Sequence, residues 1–366
     1  MRTSLRARSA SAGSASRALR RGNGPRKISQ VGTGGEAPAF IIPQLATLVA
    51  APPREEGWVH EIKFDGYRLL AVLKSPNPLL FTRAGNDWSA RFAPLCAAFA
   101  ALKIASAVID GEAVHADASG TFSFHALQDA LSSGKFDHLQ YYAFDLLHLN
   151  GVDLRPRPLL ERKAILQEVL RNAPPILAYS QHFTRRGDEM LRHACSLGLE
   201  GIVSKQGDAS YRSGRVGSWL KSKCVKEQEF VIGGYTEQPK HPGVLGALLI
   251  GYYDKSRLQF SGKVGTGFSV TEGTALLREL KAVGTTTSPF EALPPDARRG
   301  ARFVNPRLVA HVKFTEWTPD GRLRHPSFQG LREDKPAREI IRERPKALST
   351  TRGGDTKRRK PRGRPT

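Results

Sequence analysis

The stretch "VHEIKFDGYRLLAV", residues 59–72, alternates apolar and charged positions. Strand side chains alternate with period two, so Val59, Glu61, Lys63 and Asp65 fall on one face and His60, Ile62 and Phe64 on the other. Gly66 breaks this strand before Tyr67, Arg68 and the apolar run "LLAV". Three charges then point the same way, a pattern that a solvated face also produces, and His60 on the apolar side reads as core. Other short strands carry charge on one face: "VIDGEAVH" aligns Asp110, Glu112 and Val114, "SWLKSKC" aligns Trp219, Lys221 and Lys223, and "GLEGIVSK" sets Glu200 beside a glycine. Helical apolar spacing marks "RFAPLCAAFAALKI", "LLERKAILQEVLRN" and "DEMLRHACSLGL", the last stopping at Gly198 or Gly201. From Glu227 onward the pattern is alternating strands with Gly-rich turns ("EFVIGGYT", "GALLIGYYD", "LQFSGKVGTGF", "RLVAHVKFTEW") around one helix, "VTEGTALLRELKAV". The fold class expected is α+β with a small closed barrel appended, the boundary falling near Lys226. The run "GKVGTGF" lacks the spacing of a phosphate loop and reads as a barrel turn.

A chain of 366 residues with 40% hydrophobic content can bury a core in each of two domains. It holds no apolar run near the roughly 18 residues of a membrane span and no secretory leader pattern. Cys96, Cys195 and Cys224 are widely spaced with no C-x-x-C pair, so neither a disulfide nor a zinc site is expected, and a reducing compartment is. The net charge of +22 is unevenly spread: residues 1–35 hold eight Arg or Lys and no acid, and residues 335–366 hold twelve against three acids. The tails therefore carry +8 and +9 and leave the body +5. Both tails are too poor in apolar residues to offset the entropy of ordering, so both are expected to be disordered. Flexible polycations of this kind bind phosphate backbones without sequence preference; a solubility or linker role is the plainer alternative. The N-terminal tail also has the acid-free, Arg- and Ser-rich composition of an organelle transit peptide, but its scattered leucines make a weak amphipathic helix. The expected domains are a basic tail over 1–36, an α+β domain over 37–226, a barrel over 227–336 and a basic tail over 337–366.

Carboxylates at Asp65, Glu112 and Glu200 suit a hard cation such as Mg²⁺, and Lys221 and Lys223 suit phosphates. A lysine is nucleophilic only when neutral, against an ordinary pKa of about 10.4; burial and neighbouring cations lower it. Together these predict a nucleotide held by its phosphates, with Lys63 attacking the phosphorus nearest the sugar and pyrophosphate leaving. The plainer readings are a core position for Phe144, an exposed strand edge for Lys221 and Lys223, and a structural role for Asp110, whose D-G pair is also a turn signal.

Lys63-Phe64-Asp65-Gly66-Tyr67-Arg68 matches the K-x-D-G-x-R element of the covalent nucleotidyltransferases, and five further elements follow in family order. They are Arg83 to Asp87, Asp110-Gly111-Glu112, "AFDLLHLNG", Glu200 to Lys205, and Lys221-Ser222-Lys223. From about Pro43 to Ala337 the chain resembles the ATP-dependent DNA ligases, in particular the ligase module of bacterial non-homologous end-joining ligase D. No polymerase or phosphoesterase module accompanies it, so a stand-alone form is expected. The resemblance implies an adenylation domain of antiparallel sheets with flanking helices, followed by an OB-fold barrel. It implies ATP, with Mg²⁺ or Mn²⁺, and a lysyl-AMP on Lys63. It further implies nucleotide contacts from Glu61, Ile62, Arg68, Arg83, Glu112, Phe144, Lys221 and Lys223, and metal ligation by Asp65 and Glu200. Arg332, Asp334 and Lys335 match the motif that orients pyrophosphate and then swings away. AMP would pass to a DNA 5′-phosphate and be displaced by a 3′-hydroxyl. The implied partners are nicked or broken duplex DNA and a Ku-type end-binding protein, acting on a monomeric, cytoplasmic, nucleoid-associated enzyme in DNA repair. An RNA ligase or capping-type guanylyltransferase would use the same lysine; a catalytically idle DNA-binding scaffold is the reading from a different class.

Overall fold

A computed structural model describes residues 37–74, 77–116, 122–184 and 186–346. Strands Thr47–Leu48, Trp219–Lys223, Gly201–Gln206 and Trp58–Ile62 lie side by side in that order in a four-stranded sheet. A second, six-stranded sheet runs Leu79–Thr82, Tyr67–Lys74, Ser106–His115, Leu139–Leu149 and Val152–Asp153, with Leu177–Tyr179 alongside Leu139–Leu149. Most pairings are antiparallel; Thr47–Leu48 on Trp219–Lys223 and Leu177–Tyr179 on Tyr141–Ala143 are parallel.

The second sheet is buried on both faces, which is what an unbroken apolar run such as "LLAV" dictates. Leu69, Ala71 and Leu73 point with Ile109, Tyr141 and Ala143 into a core covered by helices Ala93–Ala100, Phe124–Ser133 and Leu159–Val169. Leu70 and Val72 point the other way, with Val108, Phe144, Leu147 and Trp219, into the layer between the two sheets. The helix Phe124–Ser133 had no counterpart in the sequence reading, although Ser123 caps it by accepting from Ala126 N and Gly134, at φ 70°, ends it.

The chain passes from one sheet to the other between Ile62 and Tyr67, and this crossing carries the lysine. The strand expected to run to Asp65 ends at Ile62. Lys63 N still donates to Gly201 O at 2.9 Å, but Phe64 to Gly66 then turn into the second sheet. Gly66 lies so close to the neighbouring strand that a Cβ there would sit 2.1 Å from Ala113 O. Lys63 and Asp65 therefore stand on a pinned loop between sheets, not on a strand face.

Beyond Cys224 the strand Lys226–Gln238 curves around the barrel. Its first half pairs with Val309–Phe314 and its second half with Ala301–Val304, and its other edge pairs with His241–Asp254. The pairing shifts register at Gly233, where a side chain would strike the Phe290 ring. Arg257–Val264 and Ser327–Leu331 complete the barrel edges, and helix Val270–Ala282, held by a Ser269/Glu272 capping box, packs against it. This is the OB-fold barrel that the alternation after Glu227 foreshadowed.

Two expectations are corrected. Residues 337–346 are not a disordered tail: Ala337 and Ile340 are buried against Val231, Leu249 and Phe290, Tyr253 N donates to Ile340 O at 2.7 Å, and Lys346 N donates to Leu48 O at 2.9 Å. Two apolar residues suffice to anchor a segment whose composition is otherwise basic. The remaining tail expectations fall on residues 1–36 and 347–366 and lie outside the described residues. Cys195 and Cys224, expected to be free, form a disulfide. Helix Gly187–Ser196 and the end of strand Trp219–Lys223 meet here, with Cys224 N donating to Glu200 O at 2.9 Å, although 29 residues separate the cysteines in sequence. Cys96 is free. No helix among the described residues is long and apolar enough to cross a membrane.

Arg162 is fully buried and makes a two-pronged contact with Asp145, at 2.7 and 2.8 Å, while also donating to Ala209 O. Removing one partner of such a pair strands a charge in the core. Asp145→Ala is expected to cost about 3–5 kcal/mol of unfolding free energy, measured by urea denaturation; a loss below about 1 kcal/mol would contradict this account of the core.

Candidate active site

The fourteen residues singled out in the sequence converge on one pocket of about 180 Å³ between the sheets and the barrel. Glu61, Ile62, Lys63 and Asp65 come from the crossing; Arg68, Arg83, Glu112 and Phe144 from the six-stranded sheet and its turn; Glu200, Lys221 and Lys223 from the four-stranded sheet; and Arg332, Asp334 and Lys335 from beyond the last barrel strand.

At the centre Lys63 Nζ is ion-paired with Glu200 Oε2, and Lys223 Nζ stands 3.3 Å from Glu200 Oε1. Burial by itself would lower the Lys63 pKa, but the Glu200 carboxylate outweighs it and holds the amine above the ordinary lysine value. The sequence reading relied on neighbouring cations to lower it; Glu200 reverses that sign. Burial likewise opposes the charge on Glu200, yet the Lys63 and Lys223 ammoniums keep it well below the usual carboxylate range. Glu200 can stand so close because Gly201 adopts φ 150° against the Ser222 carbonyl, where a side chain would not fit. Two other carboxylates are pushed toward neutrality: Asp65 to about 6 by burial and then by Glu200, and Glu112 to about 7 by burial. Lys221 is lowered to about 8 by burial in spite of its 2.6 Å ion pair with Glu343.

At the deep end, Glu61 is buried with every neighbour a donor. Lys163 and Lys205 each lie 3.0 Å from Oε1, and Ser180 Oγ donates to Oε2 at 2.7 Å. The Lys205 amine sits over the rings of Phe144 (4.4 Å) and Trp219 (4.3 Å), and burial lowers its pKa to about 8. Lys163, Lys205 and Trp219 were given no role from sequence. Lys205 had a usable signal, since the antiparallel pairings Val59 to Lys205 and Glu61 to Val203 set Lys205 and Glu61 on one sheet face. Lys163 had none, being one helical lysine among many charges.

Arg68 forks onto Asp110 at 2.9 and 2.6 Å, and Tyr211 OH donates to the same carboxylate at 2.7 Å. Asp110 is thus a structural anchor in mid-strand and not a turn. His60 is core, as read, its ring 2.8 Å from Ser204 Oγ. From the barrel side, Arg332 forks onto Asp334 at 2.9 Å twice and donates to Gly66 O at 3.2 Å, and Lys335 is paired with Glu229. Gln128 Nε2 donates to Leu331 O at 2.8 Å, so the barrel is docked over the lysine.

Comparison with known proteins agrees with this geometry. Residues 43–223 match the ATP dependent DNA ligase domain, and residues 241–335 match the ATP dependent DNA ligase C terminal region. A mycobacterial DNA ligase D structure, complexed with ATP and MES, superposes with a TM-score of 0.61 at 36% identity, over 82% of this chain and 98% of that one. The chain belongs to the ATP-dependent DNA ligases. The multifunctional non-homologous end joining protein LigD of Pseudomonas aeruginosa is 40% identical over 329 residues, 88% of this chain and 39% of that protein. The LigD of Mycobacterium tuberculosis is 39% identical over 310 residues, 83% of this chain and 40% of that one. This ligase therefore spans about two fifths of the length of these curated relatives.

The Gly66 crossing sets the height of Lys63 above the pocket floor. Gly66→Ala in this ligase is expected to leave cooperative unfolding intact while slowing self-adenylation by about 100-fold, as misplacement of a reacting group by an ångström does. A rate within about threefold of wild type would show that the pinning is unimportant.

Proposed function

We propose that Lys63 is the nucleophile of an ATP-dependent DNA ligase that charges itself with AMP, passes the AMP to a DNA 5′-phosphate, and seals the strand. The single observation that carries this reading is the Lys63 amine held between Glu200 and Lys223, in a pocket whose far end is a buried carboxylate. Glu61, kept ionised by Lys163 and Lys205, offers only acceptor oxygens. It would take a hydrogen bond from the exocyclic amino group of adenine, and the carbonyl of guanine at that place would be repelled. Phe144 would stack on the base, Ile62 would contact it, and Arg68 and Glu112 would hold the ribose side. Arg83, Lys221 and Lys223 would neutralise the phosphates. Lys63 loses a proton and its nitrogen attacks the α-phosphorus; the N–P bond forms as the bond to the bridging oxygen breaks, and pyrophosphate leaves with the electron pair. Arg332, Asp334 and Lys335 would orient that leaving group.

Asp65 and Glu200 are the candidate metal ligands, and the donor set fits a hard cation. Asp65 and Glu112 are carboxylates whose pKa values burial raises, so a cation beside them would favour their ionised forms. Among the described residues no three His, Cys, Asp or Glu side chains form a cage, so phosphate oxygens and water would complete the coordination of Mg²⁺ or Mn²⁺. Such an ion supplies charge neutralisation at the reacting phosphate.

After charging, the barrel must leave, because Arg332 and Lys335 cover the side of the pocket that a DNA end needs; a rotation between the units 37–226 and 227–336 supplies the path. The names of the curated relatives support a role in non-homologous end joining; its substrate would be nicked or broken duplex DNA, and its partner a Ku-type end-binding protein. The enzyme would act as a monomer at the nucleoid, in the cytoplasm.

The test is incubation with ATP and Mg²⁺ or Mn²⁺, followed by intact mass measurement. Wild type is expected to gain one adenylyl group and Lys63→Ala none; GTP should label neither. Equal labelling of the alanine variant removes Lys63 from its role.

A further inference from the structure

Beyond the pocket that holds Lys63 lies a second cavity of about 300 Å³, between strand Thr47–Leu48 and the C-terminal segment 337–346. Arg83, Glu229 and Lys335 line both spaces, so the two are contiguous. A third cavity shares Lys63, Asp65, Glu200 and His311 with the central pocket and shares no lining residue with the second. The attacking lysine therefore opens onto one end of the central pocket, and the second cavity opens from the other. In-line displacement sends the leaving group away from the nucleophile. The central pocket, at about 180 Å³, is also smaller than the roughly 300–1,000 Å³ of ordinary small-molecule sites, so a nucleoside triphosphate must reach past it.

The second cavity has the chemistry for that tail. Besides Arg83 and Lys335 it is lined by Arg215, Arg342 and Arg344. Arg342 is braced by the Trp317 ring, with its guanidinium carbon 4.0 Å from the ring centre. The same C-terminal segment places Glu339 on Arg83 at 2.9 Å and Glu343 on Lys221 at 2.6 Å. Two carboxylates thus occupy two of the cations expected to take phosphate.

We infer that the segment 337–346 forms half of the pyrophosphate site: Arg342 and Arg344 bind the leaving group, while Glu339 and Glu343 hold Arg83 and Lys221 until phosphate displaces them. A metal-bound pyrophosphate carries about −2, the charge of the two carboxylates it replaces, so the exchange leaves the cavity's balance intact. The inference rests on the Lys63 reading above and extends its phosphate contacts to a segment outside the family-matched residues, which end at 335.

The experiment runs charging backwards. Enzyme already carrying AMP on Lys63 is mixed with pyrophosphate and Mg²⁺, and ATP release is timed; in parallel, the same protein seals a DNA nick that already bears AMP on its 5′-phosphate, a step without pyrophosphate. Arg342→Ala/Arg344→Ala is expected to raise the KM for pyrophosphate by about tenfold or more, as loss of charge-assisted hydrogen bonds does, with a much smaller effect on sealing of the adenylated nick. Glu339→Gln/Glu343→Gln is expected to lower that KM severalfold. An unchanged KM in both variants, or equal losses in both reactions, overturns the inference. Wild-type enzyme that never charges at all would instead remove the Lys63 reading itself.

Discussion

A buried ammonium and a buried carboxylate in contact, Lys63 on Glu200, set the terms for the rest of the site, because burial opposes each charge and the other offsets that cost. Each comes from a point where a strand ends and glycine lets backbones approach: Gly66 beside Ala113, and Gly201 beside Ser222. The sheets are thereby locked in the one arrangement that joins the two charges. Glu200 raises the pKa of the amine, so on the proposed reading Lys63 attacks only when something else satisfies Glu200. Substrate and metal, by supplying positive charge to the carboxylate and an electrophile to the amine, would relieve both restraints at once.

The same logic repeats around the pocket. Arg68 rests on Asp110, Arg332 on Asp334, Lys335 on Glu229, Arg83 on Glu339 and Lys221 on Glu343. A polyanion entering this space does not meet bare cations; it exchanges partners with carboxylates already there. Such exchange lowers the gain from binding, but it keeps a strongly cationic cavity folded when empty. It also sorts the pairs. Arg68–Asp110 and Arg332–Asp334 are forked, and in each the carboxylate is nearly fully buried, so they serve as fixed walls. Arg83–Glu339 and Lys221–Glu343 reach across to a terminal segment and are the ones able to part.

That these fourteen residues share one pocket was legible because short charged elements are local signals, and the six ordered elements singled out Lys63 as the proposed nucleophile. What escaped was non-local. That the strand stops at Ile62 depends on Phe64 to Gly66 turning toward a second sheet, which no window of residues 59–72 reveals. Lys163 reaches Glu61 from a helix a hundred residues later. The Cys195–Cys224 bond depends on a helix end meeting a strand end. The ordered segment 337–346 was hidden by composition: a count of charges treats Ala337 and Ile340 as minor, while the barrel surface has a place for each.

The docked barrel follows from these charges too. Arg332 is held by Asp334, by the Gly66 carbonyl and by the faces of Tyr67 and Phe124, so it touches the loop that carries Lys63. Its grip is on backbone and rings beside Lys63. On the proposed reading, Lys63 gives up its positive charge when it takes AMP, and Lys223 is left as the cation beside Glu200.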